Sequence, residues 1–473
     1  MAKRVIPLVI NGQRIVSADK ALHVPVYSLA TRELLHYAQG ATVSQALLAA
    51  ETSAQAFKSW RNVAPQDRRE ILLAGVNNLR RRRQEGIDIQ RAESTPSEMF
   101  ASLIYDFAIA HATEWASVAT TMTGTIAHSA QPGLLPLIFN EPCGPVLGIA
   151  PWNAPSILGM RAFGTPIAAG CSAILKTSHL SPASHMFMAE AFLDAGLPDG
   201  VLNVVHSRPE DSREIVAALI ASEHVRKINF TGSTATGRAI AVTAAEHLKP
   251  VLLELGGKAA SVVLADADLA AAAETVVIGG WENNGQICMS TERVYVDRAV
   301  LPAFETLLKE KAAFFDPILV QGGQITAEHT AKVRQLVDDA VAKGARFVHG
   351  SASAAAARVT PSILTDVTED MALYHEESFG PTFVVVPYDT VDEAVAMVNR
   401  SKLGLTASVW TQNALAGIAV ARQLESGAVH INGMTVHDES TQPHGGVKES
   451  GYGRFGGKWG LQEFSYPKTV TVR

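Results

Sequence analysis

Apolar positions along this chain follow two rhythms. Residues 41–60 place Val43, Leu47, Ala50, Ala54 and Phe57 at spacings of three and four, which predicts an amphipathic helix. From about residue 144 short apolar runs (Val146–Ala150, Ala173–Leu175, Val201–Val205, Lys227–Phe230, Val251–Leu253) alternate with helical stretches at 157–169, 183–195, 210–221 and 235–247. A second series of apolar runs starts near 260: Ser261–Leu264, Val294–Val296, Phe383–Val386, Ser408–Trp410 and Val429–Ile431. Strands alternating with helices imply an α/β fold with parallel sheets covered on both faces. Asn11-Gly12 between apolar runs reads as a hairpin turn. Residues 116–140 are rich in Thr, Ser and Gly before turning apolar at Leu134–Phe139, the pattern of a projecting hairpin. Arg80 to Arg83 close a helical stretch as a solvated basic end favoured by the helix dipole. Ala354–Ala357 reads as a surface loop or helix end.

Composition narrows the class. At 473 residues, 47% hydrophobic and 18% charged, the chain is neither disordered nor a single small core. A net charge of −6 gives no electrostatic case for nucleic acid. Asp, Glu, Lys or Asn interrupts every Ala/Val-rich run, so no membrane span is expected, and the basic opening Met1–Arg4 precedes an apolar stretch too short for a signal core. Three cysteines fit a reducing, cytoplasmic setting. No metal-ligand spacing is present in the sequence.

Four segments carry candidate chemistry. Cys288 follows Asn283-Asn284-Gly285-Gln286-Ile287, a polar, turn-forming approach unlike the apolar settings of Cys143 and Cys171, which read as small buried hydrophobes. A thiolate there is a nucleophile that a substrate can approach closely beside glycine. Glu254 stands directly after an apolar strand and before Gly256-Gly257, at the strand end where α/β sheets place ligands, and burial is expected to raise its pKa toward that of a general base. Phe230–Gly237 runs from strand through Gly232-Ser233 into a helix whose free N–H groups suit phosphate. Pro151 and Pro155 stiffen a loop that holds Asn153, a neutral donor suited to an oxyanion. Each has an ordinary structural counterpart; together they supply nucleophile, base, oxyanion donor and phosphate turn.

In order and spacing these segments, with Glu377–Pro381, Pro443–Gly446 and Lys448–Gly451, resemble the aldehyde dehydrogenase superfamily over essentially the whole chain. Pro151–Pro155 and Gly451–Lys458 look most like its vanillin, salicylaldehyde and benzaldehyde dehydrogenase branch. The resemblance implies two doubly wound parallel-sheet domains, a Rossmann-like cofactor domain (1–115, 141–254 and 436–454) and a catalytic domain (255–435). A small β oligomerisation arm (116–140 and 455–473) would make a homodimer or homotetramer. It further implies oxidation of an aromatic aldehyde to the acid through a thiohemiacetal and thioester on Cys288, with Asn153 holding the oxyanion and Glu254 activating water. Trp152, Lys176, His179, Gly232, Ser233, Gly237, Glu377 and Phe379 would bind the cofactor, and Arg161 and His444 would line the substrate tunnel.

The chain departs from the family pattern in four places. His179 stands where NAD-preferring members commonly carry Glu, so NAD is expected with NADP or dual use left open. Phe455 replaces a second family Glu, so a proton relay to Glu254 must run otherwise. Phe314–Thr326 is shorter than usual, and the frequent Pro-Phe-Gly-Gly appears as Pro443-His444-Gly445-Gly446. With a cation at 161, a ring hydroxyl or carboxylate on the substrate is expected to meet Arg161, unless Arg161 pairs with an acidic side chain on its own helix. The alternatives are a CoA-acylating or aliphatic-aldehyde dehydrogenase of the same fold, a non-catalytic binding protein on this scaffold, and a cysteine hydrolase.

Overall fold

Runs of aliphatic residues with no polar face make strands buried on both sides. The computed structural model describes residues 3–94, 97–351 and 359–473; Met1-Ala2 and the Ala354–Ala357 cluster lie outside the described residues. Val146–Ile149, Ala173–Lys176, Leu202–Val205, Lys227–Thr231 and Val251–Glu254 form the parallel centre of an eight-stranded sheet. The chain winds outward from Val146–Ile149 through Ala173–Lys176 to Leu202–Val205, then returns to its other side for Lys227–Thr231 and Val251–Glu254. That reversal opens a crevice at the carboxyl ends of the strands. The edges are antiparallel: Gly451–Tyr452 pairs with Val251–Glu254, and Leu8–Ile10 pairs with Leu202–Val205. Leu8–Ile10 turns into Gln13–Ile15 through Asn11 (φ 50°) and Gly12 (φ 74°), the left-handed pair that a two-residue hairpin requires.

The helix Pro155–Ala168 is buried at every residue and lies so close beneath this sheet that a Cβ on Gly148 would fall 2.2 Å from the Ala162 carbonyl oxygen. It is covered in turn by Glu98–Ala119, Pro65–Arg81 and Pro182–Leu193, whose Trp115, Tyr105 and Phe192 join Phe163 in the largest core cluster. Phe163 and Phe192 meet edge to face at 5.6 Å.

The second sheet has seven strands in the order Arg346–His349, Ser362–Thr365, Thr382–Tyr388, Thr291–Asp297, Ala259–Val263, Thr406–Trp410, Ala428–Ile431, all parallel except the first. Here the chain steps from Ala259–Val263 to Thr291–Asp297, jumps to the edge Arg346–His349, fills back inward through Ser362–Thr365 and Thr382–Tyr388, and then crosses to Thr406–Trp410 and Ala428–Ile431 on the other side. The expected α/β class with two doubly wound sheets is therefore observed, and the strand series of the sequence falls on the observed strands within a few residues. A third, three-stranded sheet joins Thr125–Ile126, Leu135–Pro142 and Ser465–Val472, with Ser465 opposite Pro142 and Val472 opposite Leu135. Its limits are narrower than the expected arm: the preceding helix runs to Ala119, and Gly457–Glu463 is a helix packed against Glu98–Ala119. No helix among the described residues is long and apolar enough to cross a membrane.

Candidate active site

The carboxyl edge of the first sheet delivers Asn153, just past Val146–Ile149, and Glu254, the last residue of its strand. The amino edge of the second sheet delivers Cys288, just before Thr291–Asp297. The cysteine loop is shaped by three successive left-handed residues, Asn283 (φ 51°), Asn284 (φ 57°) and Gly285 (φ 71°). Asn tolerates this conformation, and Gly285 is needed for space as well: a Cβ there would lie 2.0 Å from the Gly380 carbonyl oxygen.

The three groups converge. The Cys288 thiol reaches Glu254 Oε1 at 3.8 Å, and Asn153 Nδ2 donates to the Gln286 carbonyl at 3.0 Å, which leaves its other hydrogen for a ligand. Asn283 Nδ2 donates back to the Asn153 carbonyl at 3.1 Å. The Phe314–Thr326 segment braces this loop: Ile325 N donates to Gln286 Oε1 and Gln324 Nε2 to the Asn284 carbonyl.

Around the cysteine, Phe100, Leu103, Ile104 and Phe107 from one helix face, with Ile157, Leu158, Ile287, Met289 and Val436, wall an apolar pocket whose polar lining is Asn153, Glu254 and Asp438. Burial pushes the Cys288 thiol well up, reinforced by the Glu254 and Glu377 carboxylates.

Arg161 and His444 correct the sequence reading. Arg161 is 1% exposed; its Nη1 donates to Glu254 Oε2 at 2.9 Å and its Nη2 to Asp438 Oδ2, carboxylates that come from other elements and not from its own helix. His444 Nε2 sits 2.9 Å from Glu254 Oε1. Neither belongs to the pocket lining; both hold Glu254. The Glu254 expectation also reverses: burial would raise its carboxyl, but His444 and Arg161 outweigh that and hold it below the usual range. The two departures from the family pattern meet here, since His444 and Phe455 exchange both backbone hydrogen bonds (2.8 and 2.7 Å) and the Phe455 ring lies 5.0 Å beneath the Arg161 guanidinium.

The crevice of the first sheet holds the remaining residues. Lys176 ends its strand, 7% exposed, and burial unopposed by any acidic neighbour lowers its amine to about 8. Such an ammonium calls for a polar ligand. Ser233 caps the helix Thr234–Glu246, accepting from Thr236 N at 3.4 Å. Gly237 lets that helix sit on the sheet, since a Cβ would lie 2.4 Å from Leu255 Cδ2, and a Cβ on Gly232 would strike the Phe230 ring at 2.5 Å. Trp152 meets Phe379 edge to face at 5.9 Å. Glu377 accepts from Gly257 N at 2.8 Å, and its carboxyl is pushed to about 7 by burial and by Glu292. His179, part-buried, is lowered by burial and by Lys176, which keeps it neutral near pH 7. An ammonium buried without an acidic partner among the described residues, a capped helix start and a clasped carboxylate fit a dinucleotide's phosphates and ribose hydroxyls.

The model of the aldehyde dehydrogenase family matches residues 15–470. The chain belongs to this family. It is 41% identical to a vanillin dehydrogenase of Pseudomonas fluorescens, over 99% of this chain and 98% of that protein. The structure of a salicylaldehyde dehydrogenase from Pseudomonas putida G7, complexed with salicylaldehyde, superposes with a TM-score of 0.95 at 36% identity, covering 99% of this chain and 98% of that one. A betaine aldehyde dehydrogenase from Staphylococcus aureus in complex with NAD+ superposes at 0.93 and 26% identity, covering 99% and 94%. The protein is thus an aldehyde-oxidising oxidoreductase, and its Cys288 thiol lies against the Glu254 carboxylate.

Some functional groups of this aldehyde dehydrogenase were missed in the sequence. The pocket wall at 100, 103, 104 and 107 had the right helical spacing to be found. Asp438, His111 and the buried Lys258–Glu292 pair (2.6 Å) that pins the Ser378 and Phe379 amides had no local signal.

Proposed function

We propose that this enzyme oxidises aromatic aldehydes to carboxylic acids in the cytoplasm, releasing the acid by hydrolysis. The observation that supports this most is the pocket at Cys288, lined by Phe100, Phe107 and aliphatic side chains, with Asn153, Glu254 and Asp438 as its polar lining. An aromatic ring fills such a wall by burial, while the aldehyde meets the polar end.

The chemistry follows from these groups. Cys288, 3.8 Å from Glu254, gives up its proton to solvent, and the thiolate adds to the aldehyde carbon to give a thiohemiacetal. The free hydrogen of the Asn153 amide and the Cys288 backbone N–H hold the oxyanion. Collapse of that oxyanion expels a hydride, which a bound nicotinamide supplies the chemistry to accept, and leaves a thioester. Glu254 then removes a proton from water, and hydrolysis frees the acid and the thiol. A CoA-acylating enzyme needs no such base, so the retained carboxylate favours hydrolysis.

Lys176, Ser233, Glu377 and Phe379 would hold the cofactor, with Trp152 beside Phe379 and Gly232 and Gly237 shaping the turn. NAD is the favoured cofactor. A neutral His179 neither repels nor pairs strongly with a 2′-phosphate, so NADP use is retained at lower efficiency. The third sheet would be the oligomerisation arm of a homodimer or homotetramer: Ile126, Leu135, Phe139, Tyr466, Val470 and Val472 are exposed on it. A panel of aromatic and aliphatic aldehydes against NAD and NADP, read as reduced cofactor and as free acid with and without CoA, tests the reading; aliphatic preference or a CoA requirement overturns it. Light scattering of the eluted protein checks the assembly.

A further inference from the structure

Read from sequence, Cys143 and Cys171 are small buried hydrophobes; folded, they stand side by side with their sulfurs 3.6 Å apart. They precede neighbouring parallel strands whose register sets Val146 opposite Ala173, so both fall at the same end of the first sheet. Both also meet one carbonyl, that of Phe464 just before the strand Ser465–Val472: Cys143 N donates to it at 2.9 Å and Cys171 Sγ at 3.3 Å. A thiol has a single hydrogen, so Cys171 serves either that carbonyl or the Cys143 sulfur.

Two cations flank the pair. Lys227, whose Nζ donates to Glu463 Oε2 at 3.1 Å, acts on Cys143. Arg68 is buried, donates to the Val63 carbonyl, and approaches the other sulfur: its Nη1 lies 3.1 Å from where a Cβ on Gly170 would stand, one residue before Cys171. Cys171 is fully buried, whereas Cys143 is partly exposed, and its neighbour Pro142 lines an open cavity with Arg68, Ala169 and Ser465. The hydrogen bond from Cys171 and the charge of Lys227 hold the Cys143 thiol below its ordinary range, while Cys288 is pushed well up. A partly exposed sulfur beside cations, with a second sulfur in reach, is the arrangement of an oxidisable dithiol.

We propose that Cys143 and Cys171 form a redox-active dithiol, which a hydroperoxide oxidises to an intramolecular disulfide ahead of Cys288, stapling the root of the third sheet to the first. The Cys143 thiolate attacks a peroxide oxygen, the O–O bond breaks, and the sulfur becomes a sulfenic acid; the departing hydroxide leaves as water with the proton that thiol gave up. Cys171 then attacks the same sulfur, the S–O bond breaks, and a second water carries off the Cys171 proton. Two thiols lose two electrons in all, and hydrogen peroxide is reduced to two waters.

The test treats the reduced enzyme with near-stoichiometric hydrogen peroxide, denatures it in an alkylating label and maps the peptides by mass. Labelled cysteines are expected to fall from three to one. The remaining label should sit on Cys288, with the Cys143 and Cys171 peptides joined and lighter by two hydrogens, and dithiothreitol should restore all three. Because the bridge closes a loop across 28 positions of the chain, the Tm of the oxidised protein should rise by a few degrees. In Cys171→Ala, Cys143 should stop at a sulfenic acid that dimedone traps, and the gain in Tm should vanish. Three labels surviving peroxide overturn the inference, and so does loss of Cys288 before the other two. A disulfide joining two chains, seen on a non-reducing gel, overturns it as well.

Discussion

The two large sheets are both doubly wound and are used in opposite ways. The first presents the carboxyl ends of its strands to the site, where the reversal of winding leaves a crevice and where Asn153, Lys176, Ser233 and Glu254 follow directly from strand ends. The second presents amino ends: Gly256-Gly257 precede Ala259–Val263, Cys288 precedes Thr291–Asp297, and Glu377–Phe379 precede Thr382–Tyr388. A doubly wound sheet therefore does not by itself assign roles; the edge that each sheet turns inward does. The carboxyl edge comes with helix starts that attract phosphate. The amino edge has none, and this molecule holds it in place with buried charge instead. Lys258 pairs with Glu292, Glu292 accepts from the Ser378 and Phe379 amides, and Arg293 donates to the Lys258 carbonyl.

The sharpest way to separate the contributions of the two edges is to remove Glu254 while keeping Cys288. Glu254→Gln is expected to lower steady-state turnover by about 10³-fold. A first burst of reduced cofactor should survive, because the amino edge still supplies the nucleophile and only release of the thioester is blocked. Without cofactor, the pH profile of Cys288 alkylation should move to lower pH. Burial and the Glu254 carboxylate both hold the thiol up, and the substitution removes the second. Loss of the burst along with the steady state, or an alkylation profile shifted upward, assigns Glu254 a different task.

The brace of the second edge is tested by Lys258→Met. It leaves Glu292 3% exposed at its side chain without its cation, and breaking one side of a buried pair costs about 3–5 kcal/mol. Thermal unfolding should show that loss, with KM for the cofactor rising as Phe379 loosens. The double variant with Glu292→Gln should recover part of the stability. A single variant as stable as the native protein removes charge as the explanation for the second edge.

How much of this was legible in the sequence divides along the same line. Asn153, Glu254 and the Gly232-Ser233 turn were readable because a strand end is marked by the close of an apolar run, and chemistry follows within a few residues. Cys288 was readable from its polar approach. The partners that set their electrostatics were not. Arg161 lies 93 residues from Glu254 and 277 from Asp438 along the chain, and no local pattern encodes a pairing over that distance. Taken alone, a cation on an apolar helix and a histidine in place of phenylalanine point toward a substrate. Folded, they point toward the base, and they reverse the expected direction of its pKa. Residues 116–119 were misplaced for a simpler reason: Thr, Ser and Ala at a helix end carry no strong stop signal.

His179 sharpens the first edge alone. A carboxylate at that position would bind ribose hydroxyls and repel a 2′-phosphate, so His179→Glu is expected to lower kcat/KM with NADP about tenfold relative to NAD. The rate of the chemical step, read from the burst amplitude and rate with saturating NAD, should stay the same. An unchanged cofactor ratio places the adenosine ribose away from His179.

The smallest expected effect falls where the two edges touch. His444→Phe takes away one of the two cations that hold the Glu254 carboxyl below the usual range. With only Arg161 left at 2.9 Å, the carboxylate is less stabilised and its pKa rises. The acid limb of kcat/KM should therefore move to higher pH, by no more than about one unit, since one unit already corresponds to about 1.4 kcal/mol of differential interaction. Rates on the plateau should change only a few-fold, because the backbone pairing of residue 444 with Phe455 survives any side chain. A limb that moves to lower pH, or stays in place while the plateau collapses, shows that His444 acts on the water or the substrate and not through Glu254.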